Sequence, residues 1–142
     1  MKKNIRHIII IFGLVFLNSC GDDPTDVDPS IQEEVFEALS GDWGLNNGAG
    51  SIILDGTDVS ANFPNFSLSF NDGIYSTTVG GDLFDASGTW EWLDEQAKQL
   101  ELNDGKVITI ILLNEQRFTF SFTEGGARAA GLPGSYEVSV VR

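Results

Sequence analysis

The chain has 142 residues, 21 of them Asp or Glu and 8 Lys or Arg, for a net charge of −13. That length supports one domain with a real core and not two, and that charge repels nucleic acid and anionic lipid headgroups, so no nucleic-acid partner is expected. A single cysteine, Cys20, excludes an intrachain disulfide, and the single histidine, His7, excludes any site built from paired imidazoles.

Lys2, Lys3, Arg6 and His7 open the chain, and ten uncharged residues follow, Ile8 to Leu17. A basic stretch and then an apolar run of this length is the pattern of a secretory signal. As a membrane-spanning helix the run is too short: at about 1.5 Å per residue it reaches about 15 Å, half of a hydrocarbon core of about 30 Å. It ends in Leu17-Asn18-Ser19-Cys20. Leu at −3, a small residue at −1 and Cys at +1 resemble a bacterial lipobox. The resemblance implies that residues 1–19 are a lipoprotein signal peptide, that the Cys20 thiol receives a diacylglyceryl group, and that the new amino terminus is acylated with a chain such as palmitate. The other reading is an ordinary secreted protein with a free Cys20. Several acyl chains anchor stably where one is marginal. The expected location is therefore the cell envelope, as an outer-membrane lipoprotein on the periplasmic or the surface side, with the membrane as a partner through the anchor.

Loss of residues 1–19 leaves 123 of the 142 and removes Lys2, Lys3 and Arg6, which takes the charge from −13 to −16. No histidine remains. That removes Ser-His-Asp and Cys-His catalysis and imidazole metal sites. Neither an enzyme nor a cofactor is expected.

Residues 20–29 form an acidic linker with four Asp and two Pro between Gly21 and Pro29. Such a segment buries nothing and serves as an extended spacer. Acidic residues directly after the lipid cysteine also resemble the surface-export signal of lipoproteins in Bacteroidetes-type bacteria. Ser30-Ile31-Gln32-Glu33 reads as a capping box. It predicts an amphipathic helix over residues 31–39, with Ile31, Val35, Ala38 and Leu39 on one face and Gly41 as its stop.

From Gly41 the hydrophobic period changes to 2. Strands are expected at Trp43 to Leu45, Ser51 to Leu54, Phe66 to Phe70, Ile74 to Val79, Thr89 to Trp92, Leu100 to Leu102, Val107 to Leu113, Phe118 to Phe122 and Tyr136 to Val140. Asn71-Asp72-Gly73 and Asn103-Asp104-Gly105 supply hairpin turns. Short connections predict an antiparallel meander of about eight strands, and a closed barrel or barrel-like sandwich hides their edges. Residues 30–142 form that domain. In Val107 to Leu113 both faces are apolar. Ile108, Ile110 and Leu112 are expected to face inward, with Val107, Ile111 and Leu113 covered by the helix or by a partner subunit.

Leu39-Ser40-Gly41-Asp42-Trp43 and the later Gly88-Thr89-Trp90 resemble motifs of lipocalins, and are most similar to those of lipocalin-like domains in Bacteroidetes-type lipoproteins. The resemblance implies an all-β lipocalin-like barrel with one short N-terminal helix. It places Gly41 and Trp43 at the barrel floor, with Arg142 or Arg128 packed on the Trp43 ring by a cation–π contact.

Phe66, Phe70, Trp90, Trp92, Phe118, Phe120 and Phe122 are expected on the inner face. They are plain core or, for Phe66, Phe70, Trp90, Trp92, Phe118 and Phe120, the lining of a ligand pocket opening at the end away from Trp43. An eight-stranded barrel is about wide enough for either. Glu91 lies between two Trp residues but on the opposite face, and a glycosidase pair would need a second carboxylate about 5–10 Å away. Asp55-Gly56-Thr57-Asp58 is a turn, or a weak Ca²⁺ loop with too few ligands. No catalytic residue and no metal site is assigned. Two functions remain: a lipid-anchored barrel holding a small apolar or amphipathic ligand, or an interaction lipoprotein with a filled core that binds, or inhibits, a cationic envelope-attacking protein. A buried void favours the first and a filled barrel the second.

Overall fold

The computed structural model describes residues 28–81, 83–125 and 132–142. The leader, Cys20, most of the acidic linker and Arg128 lie outside the described residues. Helix α1 (Ile31–Leu39) starts on its capping box: the Ser30 hydroxyl accepts the Glu33 N–H at 3.2 Å and the Glu33 carboxylate accepts the Ser30 N–H at 2.7 Å. Its buried face keeps Val35, Ala38 and Leu39 of the predicted stripe, loses Ile31 and gains Phe36. Leu39 is buried and Phe36 packs on the core, while Ile31 is exposed. Phe36 and Leu39 are three apart and share a face, and the Phe36 ring reaches Trp90 at 6.0 Å between centroids.

Ten strands follow among the described residues: β1 (Gly41–Gly44), β2 (Ser51–Leu54), β3 (Thr57–Asp58), β4 (Ser67–Asn71), β5 (Ile74–Thr78), β6 (Ser87–Trp92), β7 (Gln99–Leu102), β8 (Val107–Leu113), β9 (Arg117–Glu124) and β10 (Gly134–Val141). β4 to β10 pair antiparallel in chain order. β1 closes the ring, with Trp43 opposite Leu68 on β4 and Gly44 opposite Val141 on β10. The result is a closed eight-stranded antiparallel barrel with one short helix, lipocalin-like in architecture. β2 continues along the same edge of β10 and carries β3 as a hairpin.

Alternation explains the core. Phe70 faces Tyr75, Trp90 faces Leu102, Leu100 faces Ile108, and Phe120 faces Val138 across neighbouring strands. All of these side chains are buried. Asn71 pairs with Ile74, so Asp72-Gly73 is a two-residue hairpin loop, with Gly73 at φ +67.

β8 departs from expectation. A bulge between Ile110 and Leu112 slips the register against β9, so Leu113 pairs with Phe118 and packs on the core. Leu112, predicted inward, turns out and is 44% exposed; Ile111 is 53% exposed. Helix α1 does not cover this face. It packs at the floor, where Gln32 Nε2 donates to the Asp94 carbonyl at 3.0 Å and the Trp43 indole N–H donates to the Leu39 carbonyl at 2.8 Å.

Candidate functional site

The floor is built from the first motif. Trp43 is buried, and the Arg142 guanidinium lies 4.1 Å from its ring centroid. Arg142 also donates to the carbonyls of Ala38 at 2.9 Å and Ser40 at 2.5 Å, which ties the end of α1 to the end of β10. Gly41 has φ +117, a conformation that side chains with a Cβ rarely adopt, and an added Cβ would meet Arg142. Gly88 of the second motif is required by close approach: a Cβ there would lie 1.8 Å from Asn103 Oδ1 and 2.7 Å from the Tyr75 ring.

The opposite end, the mouth, is closed by residues that the strand pattern did not single out. Leu83 and Phe84, on the loop between β5 and β6, are both 0% exposed. The Phe84 ring meets Phe66 at 5.9 Å, Phe120 at 6.3 Å and Phe122 at 5.1 Å. The loop is pinned at its base by Thr77, whose N–H donates to Ala86 at 2.9 Å and whose hydroxyl donates to Asp85 at 3.0 Å. Beside this plug Lys106 forms an ion pair with Glu124, their side chains 5% and 10% exposed. The Lys106 ammonium also sits 4.8 Å from the Phe122 ring centroid and 5.6 Å from that of Phe84. An apolar pair, Leu83-Phe84, one residue after Gly80-Gly81 was the available signal for the plug.

Between the two ends the interior is filled. A void that holds a water leaves accessible area on the side chains around it. Phe70, Phe84, Ile108, Phe118, Phe120 and Val138 are each 0% exposed. Phe118 stacks on Phe120 at 4.6 Å and meets Phe70 edge-on at 6.0 Å. Of the six candidate pocket residues, Phe70, Phe118 and Phe120 are therefore packed core, while Phe66, itself buried, also backs an open cleft of about 600 Å³ between the 44–50 and 60–67 segments.

Trp90 and Trp92 are placed differently. They meet at 5.0 Å and 84°, and Trp92 is half-buried. With Phe36 they form the wall of a cleft of about 420 Å³ between α1 and β6, whose other lining residues include Glu33, Asp72 and Glu91. The pocket that Trp90 and Trp92 line thus opens beside α1, at the same end as Trp43, and not at the far end, because the far end is plugged. The Trp90 indole N–H is fixed by the carbonyls of Asn71 at 2.9 Å and Ile74 at 3.2 Å. Glu91 is exposed and pairs across the strands with Glu101.

Asp55-Gly56 is the turn of the β2–β3 hairpin, with φ of +47 and +85. The Asp55 carboxylate accepts the Ser135 N–H at 3.0 Å, and the Asp58 carboxylate accepts both the N–H and the hydroxyl of Ser60. Those bonds from Ser60, the hydroxyl first, hold the Asp58 pKa below its ordinary value. The Ser30 N–H does the same for Glu33, with the Ser30 hydroxyl adding to it. Both carboxylates serve local turns and caps. No family model matches the chain, and no curated protein matches it.

Proposed function

We propose that this chain is a lipid-anchored, non-catalytic interaction module of a bacterial cell envelope, a lipocalin-like barrel that engages a cationic protein on its outer surface. The observation that carries this reading is the filled interior, with rings such as Phe118 and Phe120 at 0% exposure where a calyx ligand would sit. A small apolar ligand would have to displace Leu83 and Phe84 first. The outer surface supplies the chemistry instead. Among the described residues Lys106 is spent on Glu124, Arg142 on Trp43 and the backbone, and Arg117 on Ser139 and Ala49, which leaves Lys98, exposed just before β7. The carboxylates on the outside are thus largely unopposed, and they steer a basic partner to the surface. Cys20, lipidated at the end of the Leu17-Asn18-Ser19-Cys20 run, tethers the domain to the outer membrane through the acidic linker.

The test is binding of the full chain to immobilised lysozyme, a cationic envelope-attacking protein, at low and high salt. Binding that weakens as ionic strength rises is expected; no binding at low salt overturns the partner class. Cys20→Ser is expected to abolish incorporation of labelled palmitate in cells, and undiminished labelling would overturn the anchor.

A further inference from the structure

Among the described residues aromatic rings and basic side chains meet at two places. Arg142 lies over Trp43, and Lys106 lies over Phe122 and Phe84. The third aromatic group lines the cleft beside α1: Phe36 and Trp92 are half-buried, and Trp90 is buried behind them with only a small part exposed. None of the nine residues that line this cleft is Lys or Arg. Glu33, Asp72 and Glu91 stand at its edge, one each from the start of α1, the β4–β5 turn and β6. Electrostatically it is the complement of the two internal sites: ring faces and carboxylates are in place, and the cation is not part of the chain.

We propose that this cleft is where the cationic partner docks, taking an Arg or Lys side chain of an exposed basic segment against Trp92 and Trp90, with its head group shared among Glu33, Asp72 and Glu91. The proposal rests on the reading of the barrel as an acidic interaction module and gives that module its contact point. The physical reasons are three. The cleft, at about 420 Å³, is open on one side, as a side chain entering from another protein requires. Trp90 is held rigid by two hydrogen bonds to its indole N–H, so its ring is preorganised and little entropy is lost on binding. A guanidinium desolvates readily and stacks on indole, and a carboxylate at the edge then pairs with its N–H fork. The Ser30 N–H and hydroxyl lower the Glu33 pKa, which favours its charged form.

A hexa-arginine peptide is the probe, titrated into the full chain with tryptophan fluorescence and calorimetry as readouts. Wild type is expected to bind with a change in tryptophan emission. Trp92→Ala is expected to bind about tenfold more weakly, and Trp92→Phe to keep most of the affinity. Asp72→Asn with Glu91→Gln removes two charges at the cleft and is expected to weaken binding more than Glu115→Gln with Glu137→Gln, which removes two charges elsewhere. Asp72→Asn leaves a good Asn-Gly turn, so this pair folds even if Trp92→Ala does not. If wild type binds but the two charge pairs lose equally and Trp92→Phe matches Trp92→Ala at wild-type affinity, the cleft is wrong and the acidic module stands. If wild type does not bind the peptide at low salt, the cleft and the cationic-partner reading both fall.

Discussion

The two ends of the barrel are closed by the same pair of groups, an aromatic ring and a cation, in two different ways. At the floor Arg142 lies on Trp43 and spends its N–H groups on backbone carbonyls of Ala38 and Ser40. The floor is therefore a clamp between the end of α1 and the end of β10 that needs no carboxylate. At the mouth Lys106 lies between Phe122 and Phe84 and requires Glu124 as a counter-ion. Its plug is a loop rather than a helix. The difference teaches that the floor is a structural lock, whereas the mouth is a calyx entrance occupied by the protein's own side chains.

The comparison breaks first at the floor. Trp43→Ala removes a buried indole that joins α1 to the barrel, and should cost about 4–5 kcal/mol in chemical denaturation, enough to unfold a marginal domain. A loss under about 1 kcal/mol would mean that the floor is no lock. At the mouth, Phe84→Ala should cost about 3 kcal/mol and leave a cavity where the ring was. The ion pair comes next. Lys106→Met strands the Glu124 carboxylate and should cost about 2–3 kcal/mol, while adding Glu124→Leu should recover most of that. Thermal melts of the two single variants and the double variant check it, and a double-variant loss equal to the sum of the two single losses would show that the pair is not coupled.

The smallest effect sharpens the sign of the acid response. Glu33 and Asp58 have lowered pKa values in the fold. Their contributions are present above the unfolded carboxylate pKa of about 4 and are lost as pH falls through the folded value. Ser30→Ala should cost about 1 kcal/mol at neutral pH and less at acid pH, because the bonds it removes are already weakened there. Denaturation midpoints between pH 7 and pH 2 read this out. A cost that grows on acidification would reverse the assignment.

The floor is legible in the sequence because its parts are local or end-to-end. The Ser30–Glu33 box starts the helix, Gly41 stops it, Trp43 follows, and Arg142 is the last residue. The alternation of Phe66, Leu68 and Phe70 and of Phe118, Phe120 and Phe122 similarly marks the core in the sequence itself. The mouth is hidden because Leu83 and Phe84 sit in a Gly-rich loop with no period, and Phe84 acquires its neighbours only from strands distant in sequence. The bulge at Ile111 is hidden for another reason. A run that is apolar on both faces looks the same before and after a one-residue slip. The cleft depends on the angle at which α1 docks, which put Phe36 and not Ile31 against the barrel.

Whether the barrel binds inside or outside is tested most directly by titrating a fluorescent fatty-acid analogue into the wild-type chain and Phe84→Ala side by side. The filled barrel predicts no saturable signal for wild type and a saturable one for the variant, whose cavity is newly opened. Saturable one-to-one binding to wild type would contradict it, because the ligand would then occupy space that Phe84, Phe118 and Phe120 already fill.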